Sequence, residues 1–162
     1  MNNLQNYFTP GKTLFCLLFL VIFYLLVKKY DYETLLTFGP DDSLKNASEG
    51  YVNSIGIGTD CNYTDLKWCI EGTVESGKIA CTFTRGLGDS IEKDTIIGRR
   101  EYTIGNIPLE EINVGESGLS ENSMWIEVLE PCNADIHMTL RGRRRGYQIL
   151  LDLLGLNLIS RF

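Results

Sequence analysis

A run of fifteen residues without a charged side chain, between Lys12 and Lys28, constrains this chain most strongly. Leu, Phe, Val and Ile dominate the run, so a helix formed from it would expose apolar side chains on every face. At 1.5 Å per residue such a helix is about 22 Å long, and the flanking lysines would have to reach up to the headgroups of a bilayer whose core is about 30 Å thick. The sequence therefore predicts a transmembrane segment at residues 13–27, preceded by a short tail at residues 1–12.

The residues after this segment favour an uncleaved anchor over a cleaved signal peptide. Residues 27–32 lack the small residues that mark a signal-peptide cleavage site. Lysines stand on both sides of the segment, so the count of positive charges does not decide its orientation. Four cysteines and two Asn-x-Ser/Thr sequons follow the segment, and both features indicate an oxidising compartment. We therefore expect a single-pass membrane protein whose ectodomain lies in such a compartment.

These cysteines and sequons supply the candidate modification sites. Four cysteines allow three sets of two disulfides. A short-loop disulfide between Cys61 and Cys69 would leave Cys81 to pair with Cys132, and the other two sets stay open. The glycosylation candidates are Asn46 and Asn62.

Apolar residues alternate with polar ones from Cys69 onward, with the period of two that is typical of strands. The clearest examples are residues 79–84 and 135–140, and the second places His137 on the outward face. No long helical period occurs before residue 146. This pattern predicts a mainly β fold, a small disulfide-bonded antiparallel domain at residues 59–145 built as a sandwich or an open barrel.

Glycine, proline and short polar residues interrupt these alternating segments. We expect strands to end near Ser76-Gly77, at Gly105 and at Pro131, because such residues are typical of turns. Residues 28–58 are rich in the same residue types and have little apolar periodicity, so they are predicted to form a stalk or loop.

The C-terminal part combines an arginine run with a leucine-rich segment, for which we expect an apolar helix at residues 146–162. Such a helix cannot stay bare in water. It either docks on the domain, or packs on a partner subunit or a membrane surface with the arginines at the headgroups. The run also fits the pattern cut by secretory-pathway convertases. The residues predicted to contact a membrane or partner are Arg141, Arg143, Arg144, Arg145, Leu150, Leu151, Leu153, Leu154 and Leu158.

The sequence offers no constellation typical of an enzyme. It has a single histidine, no Cys-x-x-Cys pair and no complete glycine-rich phosphate loop. We therefore expect no catalytic residues, no metal, no cofactor and no small-molecule substrate. Residues 30–140 carry 20 acidic against 7 basic side chains, which argues against a nucleic-acid partner.

The anchor with lysines after it, the β-rich ectodomain with few cysteines and the run Cys81-Thr-Phe-Thr-Arg-Gly-Leu-Gly88 together resemble the baculovirus per os infectivity factor four family of small envelope proteins. The resemblance implies a non-enzymatic subunit of a multi-protein viral entry complex on the virion envelope, needed for oral infection. Its partners would be other membrane proteins of that complex and the lipid bilayer. The alternative is a cellular type II membrane protein of the secretory pathway, in the endoplasmic reticulum or at the cell surface, with a ligand-binding ectodomain.

Overall fold

The structure is a computed structural model of the chain and describes residues 10–39, 44–59, 63–86, 94–115 and 120–155. The chain divides into two units. One unit is residues 1–31 together with residues 144–162, and its described part contains two helices. The other unit is residues 32–143 and contains an antiparallel sheet.

The first helix, α1, is Pro10–Val27 and contains the predicted transmembrane segment. Proline suits the first turn of a helix because its missing N–H would have no partner there. The helix has 18 residues and is therefore about 27 Å long. It is longer than the predicted segment because it also takes in residues 10–12, which include Lys12. With a mean hydropathy of 2.1 and no buried side chain, α1 is long and apolar enough to span a membrane.

The described strands belong to one antiparallel sheet, so the prediction of a mainly β fold is confirmed. Strand β4 lies between β5 and β6, and three short strands pair one after another with the free edge of β6. The strands are β1 Tyr32–Phe38, β2 Leu44–Ala47, β3 Val52–Thr59, β4 Tyr63–Gly86, β5 Thr95–Gly115 and β6 Ser120–Arg144.

Strand β4 bends so strongly that its two halves face each other. Trp68 and Phe83 are fifteen residues apart on this strand and would be separated by about 50 Å if it were straight. Their ring centroids are 6.0 Å apart. The bend coincides with a shift in the β4–β5 register between Val74 and Lys78.

Strand β5 follows the same bend. Arg100 and Glu110 are ten residues apart on β5, yet Arg100 Nε lies 2.7 Å from Glu110 Oε1. The two halves of the sheet therefore enclose a single apolar core. Its largest fully buried side chains include Trp68, Phe83, Leu66, Ile70, Ile79, Met124, Ile126, Ile136, Met138 and Leu140.

Three predicted strand breaks are bends or irregularities inside long strands. Gly77 and Gly105 adopt positive φ angles of 77° and 140° within β4 and β5, which glycine allows without ending the strand. Pro131 lies in β6 between the segments that pair with β2 and β3, so its missing N–H removes no hydrogen bond along that edge.

The predicted stalk at residues 28–58 is wrong, because strands β1, β2 and β3 lie in this segment. These strands are short and lack a regular alternation; β1, for example, buries only Phe38 fully. They form because β6 offers them a free edge, and their partners on β6 lie between about 60 and 110 residues away along the chain.

The C-terminal helix α2 is Gly146–Leu153 and is shorter than predicted. It ends because Gly155 adopts a left-handed φ of 68°, and the Gly155 N–H donates to Asp152 O at 3.1 Å. The predicted apolar helix over residues 146–162 is therefore not what the structure shows, and residues 156–162 lie outside the described part.

Candidate functional site

Two features of the described chain are candidates for function. The first is the apolar surface of the helical unit, by which we mean residues 10–31 and 144–155. The second is a polar groove on the outer face of the sheet. Each is described within its own unit.

The side chains of α1 are exposed on all sides. Leu14 and Phe15 near its start are 69% and 70% exposed, and Val27 at its end is 57% exposed. A helix of this length with apolar residues all round requires a bilayer or other apolar helices around it.

Aromatic and basic side chains gather at the C-terminal end of α1. The Lys28 ammonium lies 6.0 Å from the ring centroid of Tyr24 and 5.5 Å from that of Tyr30. The Tyr30 hydroxyl donates to the carbonyl oxygen of Leu25 at 3.0 Å. Tyrosine and lysine are the residues that membrane-spanning helices place at the level of the headgroups.

Helix α2 begins in close contact with this same end of α1. A Cβ added at Gly146 would lie 2.5 Å from the carbonyl oxygen of Leu25 and 2.7 Å from that of Leu26. Because real Cβ atoms do not approach so closely, only glycine fits at this position. The C-terminal helix thus docks on α1 of its own chain.

One face of α2 is held by polar contacts within the helical unit. Arg144 Nη1 lies 3.0 Å from Asp152 Oδ2, and Gln148 Nε2 donates to Asp152 Oδ1 at 3.3 Å. Arg145 is the N-cap residue of the helix. These contacts hold Asp152, near the end of α2, to Arg144 and Gln148.

The other face of α2 leaves large side chains uncovered. Leu153 and Leu154 are 68% and 61% exposed, and Tyr147 is 40% exposed. Leu150 and Leu151 are half-buried, and the predicted contact residue Leu158 lies outside the described residues. Two of the predicted leucines therefore form an exposed apolar pair.

The arginine run is divided between the two units. Arg141 and Arg143 belong to the sheet, whereas Arg144 and Arg145 belong to the helical unit. Arg143 stacks on Tyr32, with its Cζ 4.3 Å from the ring centroid, and its Nη1 lies 3.9 Å from Asp65 Oδ2.

The same segment fits the pattern cut by secretory-pathway convertases. Arg141 and Arg143 pair in register with Thr34 and Tyr32 of β1. A protease needs an extended backbone without a strand partner, so cleavage here would require β1 to detach first.

The groove is a cavity of about 300 Å³ on the outer face of the sheet. Strands β1, β4, β5 and β6 all contribute to it. Its lining residues are Thr34, Thr37, Cys69, Glu71, Leu109, His137, Thr139 and Arg141.

Strand alternation and register place these groups together. Residues 136, 138 and 140 of β6 are buried in the core, so His137, Thr139 and Arg141 point to the outer face, as predicted for His137. On β1, Thr34 lies opposite Arg141 and Thr37 lies opposite Thr139. The groove therefore presents a row of side chains from β6 beside two threonine hydroxyls.

The charged groups of the groove have no counter-ion within the described part of the chain. Arg141, Glu71 and His137 make no ion pair with another described residue, and Arg141 Nε is buried without a hydrogen-bond partner. The groove can thus offer a guanidinium, a carboxylate, an imidazole and several hydroxyls to a bound molecule. Among the described residues no hydrogen bond joins Cys69 to His137, so these two do not form a nucleophile–base pair.

The predicted disulfides are not found among the described cysteines. Cys69, Cys81 and Cys132 are buried free thiols, and Cys61 lies outside the described residues. A Cβ added at Gly77 would lie 2.7 Å from the Cβ of Cys132, so Cys132 lies opposite Gly77. Cys81 is four residues farther along β4, about 13 Å away, whereas a disulfide needs Cα atoms within about 7 Å. At this spacing no disulfide joins Cys81 to Cys132 in the structure.

Burial also sets the chemistry of these thiols. It raises the pKa of Cys81 to about 12, with a smaller contribution from the charge of Glu110. Burial likewise raises the pKa of Cys132 above its usual value. Both groups are therefore protonated and unreactive at neutral pH.

The first glycosylation candidate, Asn46, is exposed at the rim of a second cavity, which has a volume of about 340 Å³. Its backbone has a left-handed φ of 51°, which asparagine tolerates, and its N–H donates to Asn133 Oδ1 at 2.6 Å. The second candidate, Asn62, lies outside the described residues.

Of the groove residues contributed by β1, β4 and β5, Cys69 was predicted as a disulfide cysteine, and the others were not predicted as site residues. The outward positions of His137, Thr139 and Arg141 follow from alternation in the sequence, but the pairing of four strands that creates the cavity does not. The only available signal was the spacing of these three polar residues on one face of a strand.

Comparison with known proteins gives no family for this chain. No family model matches it, and no curated protein matches it. Among solved structures the chain is similar to the crystal structure of PirA, with 10% identity and a TM-score of 0.41 over 71% of this chain and 98% of that one. It is also similar to the capsular polysaccharide assembling protein CapF from Staphylococcus aureus, with 16% identity and a TM-score of 0.22 over 71% of this chain and 29% of that one. At these TM-scores neither similarity carries an argument about fold or function.

Proposed function

We propose that this protein is a non-enzymatic, membrane-anchored subunit of a multi-protein complex, and that the complex is an oral infectivity complex on a viral envelope. The exposed apolar surface of the helical unit supports the membrane and assembly parts of this proposal. The resemblance to the per os infectivity factor four family supports its viral part. On this proposal α1 anchors the chain, and the sheet lies outside the membrane in an oxidising compartment.

One observation carries the proposal furthest, namely the exposed pair Leu153 and Leu154 on a helix that docks on the end of the anchor. Burying one such leucine contributes about 1.5 to 3 kcal/mol, so leaving two of them in water is unfavourable. The docking of Gly146 on α1 holds this pair near the anchor, where a neighbouring subunit of the same membrane is within reach.

A photo-crosslinking amino acid at Leu153 tests which surface covers this pair. Expressed in the native membrane and irradiated, the variant is expected to give a discrete protein adduct of higher mass. The matched control carries the same amino acid at Tyr51, which is 45% exposed but lies in the sheet unit. Lipid adducts alone from position 153 would contradict the assembly role and leave α2 as a membrane-surface helix.

A second function has support from a different observation, the polar groove. A concave site with convergent polar groups that lack partners is the usual form of a small-molecule binding site. On this alternative the sheet is a ligand-binding ectodomain. Native mass spectrometry of the full chain released from nanodiscs tests it: a retained mass of a few hundred daltons is expected, and a bare chain in every preparation would contradict it.

A further inference from the structure

We infer that the groove binds a sugar that carries a carboxylate, such as a uronic or sialic acid. The inference depends on the ligand-binding function proposed for the sheet unit and is independent of whether the chain belongs to a complex. It follows from the charges, hydroxyls and size of the groove, taken in turn.

Arg141 is the group that would receive the carboxylate. A guanidinium presents parallel N–H donors whose spacing matches the two oxygens of a carboxylate. The Nε of Arg141 is buried without a hydrogen-bond partner, so one donor already lacks a bond that a ligand would supply. Such an unpaired buried donor is costly, and a bound carboxylate removes that cost.

The neighbouring cations of the same face are already engaged. Lys67 Nζ lies 2.5 Å from Glu111 Oε1 and 4.1 Å from the ring centroid of Tyr32. Arg143 Nε is also buried without a hydrogen-bond partner, but Arg143 Cζ lies 4.3 Å from the centroid of the same ring and its Nη1 lies 3.9 Å from Asp65 Oδ2. An anionic group entering the groove would therefore meet Arg141 as its partner.

Glu71 and the threonines fit the hydroxyls of a sugar. A carboxylate accepts hydrogen bonds from ligand hydroxyls, and a threonine hydroxyl both donates and accepts. Thr37 and Thr139 are paired across β1 and β6, and Thr34 is paired with Arg141, so hydroxyls flank the guanidinium along the groove. Glu71 repels the charge of a phosphate and of a sugar carboxylate alike, but only the sugar acid brings hydroxyls that donate hydrogen bonds to Glu71.

Leu109 and the size of the groove limit the ligand further. Leu109 is 59% exposed and supplies an apolar contact for the C–H face of a sugar ring. The volume of about 300 Å³ lies at the lower end of the range for ligand sites, so one sugar unit fits better than an extended chain.

Ligand-observed saturation-transfer NMR with the full chain in nanodiscs tests this inference. The probes are N-acetylneuraminic acid and glucuronic acid. Glucose is the control for glucuronic acid, because it is the same sugar without the carboxylate. We expect transfer to at least one acid and much weaker transfer to glucose. Arg141→Ala should weaken binding of the acid about ten- to hundredfold, because a hydrogen-bonded charge is lost.

Two further variants separate binding from folding. Arg141→Lys keeps the charge but loses the paired donors, and should bind with intermediate affinity. Arg99→Ala removes an exposed arginine that pairs with Glu127 at 3.1 Å, away from the groove, and should leave binding unchanged. Equal binding of glucose and glucuronic acid, or wild-type affinity in Arg141→Ala, would overturn the inference.

Failure of the ligand class can be told apart from failure of the function. If neither acid binds but native mass spectrometry shows another small molecule, retained by the wild type and lost from Arg141→Ala, the carboxylated sugar is wrong and the ligand-binding function stands. If neither acid binds and no small molecule is retained, both are wrong.

Discussion

Gly77 lies in the bend of β4 with a φ of 77°, and the bend depends on the absence of its side chain. A Cβ there would lie 2.7 Å from the Cβ of Cys132 and 2.8 Å from the carbonyl oxygen of Glu130. Gly50 also has a positive φ, 81°, but a Cβ at that position would meet nothing within 4 Å. Comparing substitutions at the two glycines therefore separates the cost of backbone strain from the cost of steric contact.

Substituting alanine at each position measures these two effects. Gly50→Ala should lower the free energy of unfolding by about 1 kcal/mol, because only the left-handed backbone is strained. Gly77→Ala should lower it by about 2 to 4 kcal/mol, because the new methyl group also displaces the neighbouring strand. Denaturant titration of the full chain in detergent, followed by tryptophan fluorescence, gives both values. An equal loss of unfolding free energy in Gly50→Ala and Gly77→Ala would show that Gly77 does not lie against β6.

The free thiols give a second prediction at this scale. Cys81 is fully buried and its pKa is about 12, so at pH 7 roughly one thiol in 100,000 is ionised. We expect N-ethylmaleimide to leave Cys81 and Cys132 unmodified in the folded, unreduced protein and to modify both after denaturation without reductant. Mass spectrometry of the peptides reads out both states. A peptide pair linked through Cys81 and Cys132 would contradict the position of Cys132 opposite Gly77.

At the scale of elements, the docking of α2 on α1 depends on Gly146. Gly146→Ala should raise the hydrogen-exchange rates of the α2 amides about tenfold or more, because the methyl group meets the carbonyl oxygens of Leu25 and Leu26. The measurement is hydrogen exchange by mass spectrometry on the full chain in nanodiscs.

The matched control for this experiment is Gly11→Ala. Gly11 lies in α1, where a Cβ would meet nothing within 4 Å, so alanine there should leave the exchange of α2 unchanged. Unchanged exchange in Gly146→Ala as well would mean that α2 does not pack on the anchor.

The elements also show how far the sequence alone leads. The alternation at residues 135–140 predicted a strand and the outward position of His137. When one face of a strand is buried, its buried positions are apolar and the positions between them are polar. The apolar helix α1 was predicted for the same reason. In both cases a local pattern reflects the environment of the element itself.

The elements that the sequence missed depend on distant partners. Strands β1 to β3 form on the edge of β6, and no residue within them marks that pairing. Gly77 and Gly105 were predicted to end strands because a turn and a bend use the same residue types. The groove was missed for a related reason. It exists only because strand pairing brings Arg141 of β6, Thr34 of β1 and Glu71 of β4 to the lining of one cavity.

At the scale of the whole molecule, two units carry different proposed roles. The helical unit holds the apolar surface that would face a bilayer and other subunits, and the sheet unit holds the groove that would face a soluble ligand. Both roles are compatible in one chain, because the residues that carry them do not overlap. The assembly role is the central claim, and it concerns the native protein in its own membrane.

Gentle detergent extraction of that native protein, followed by native gel electrophoresis and identification of the stoichiometric components, tests this claim most directly. The account predicts a defined complex far larger than the 18.3 kDa chain that contains other membrane proteins, and a smaller species when Leu153 and Leu154 are both replaced by glutamate. A lone monomer carrying only detergent, in the wild type as in the variant, would contradict the account.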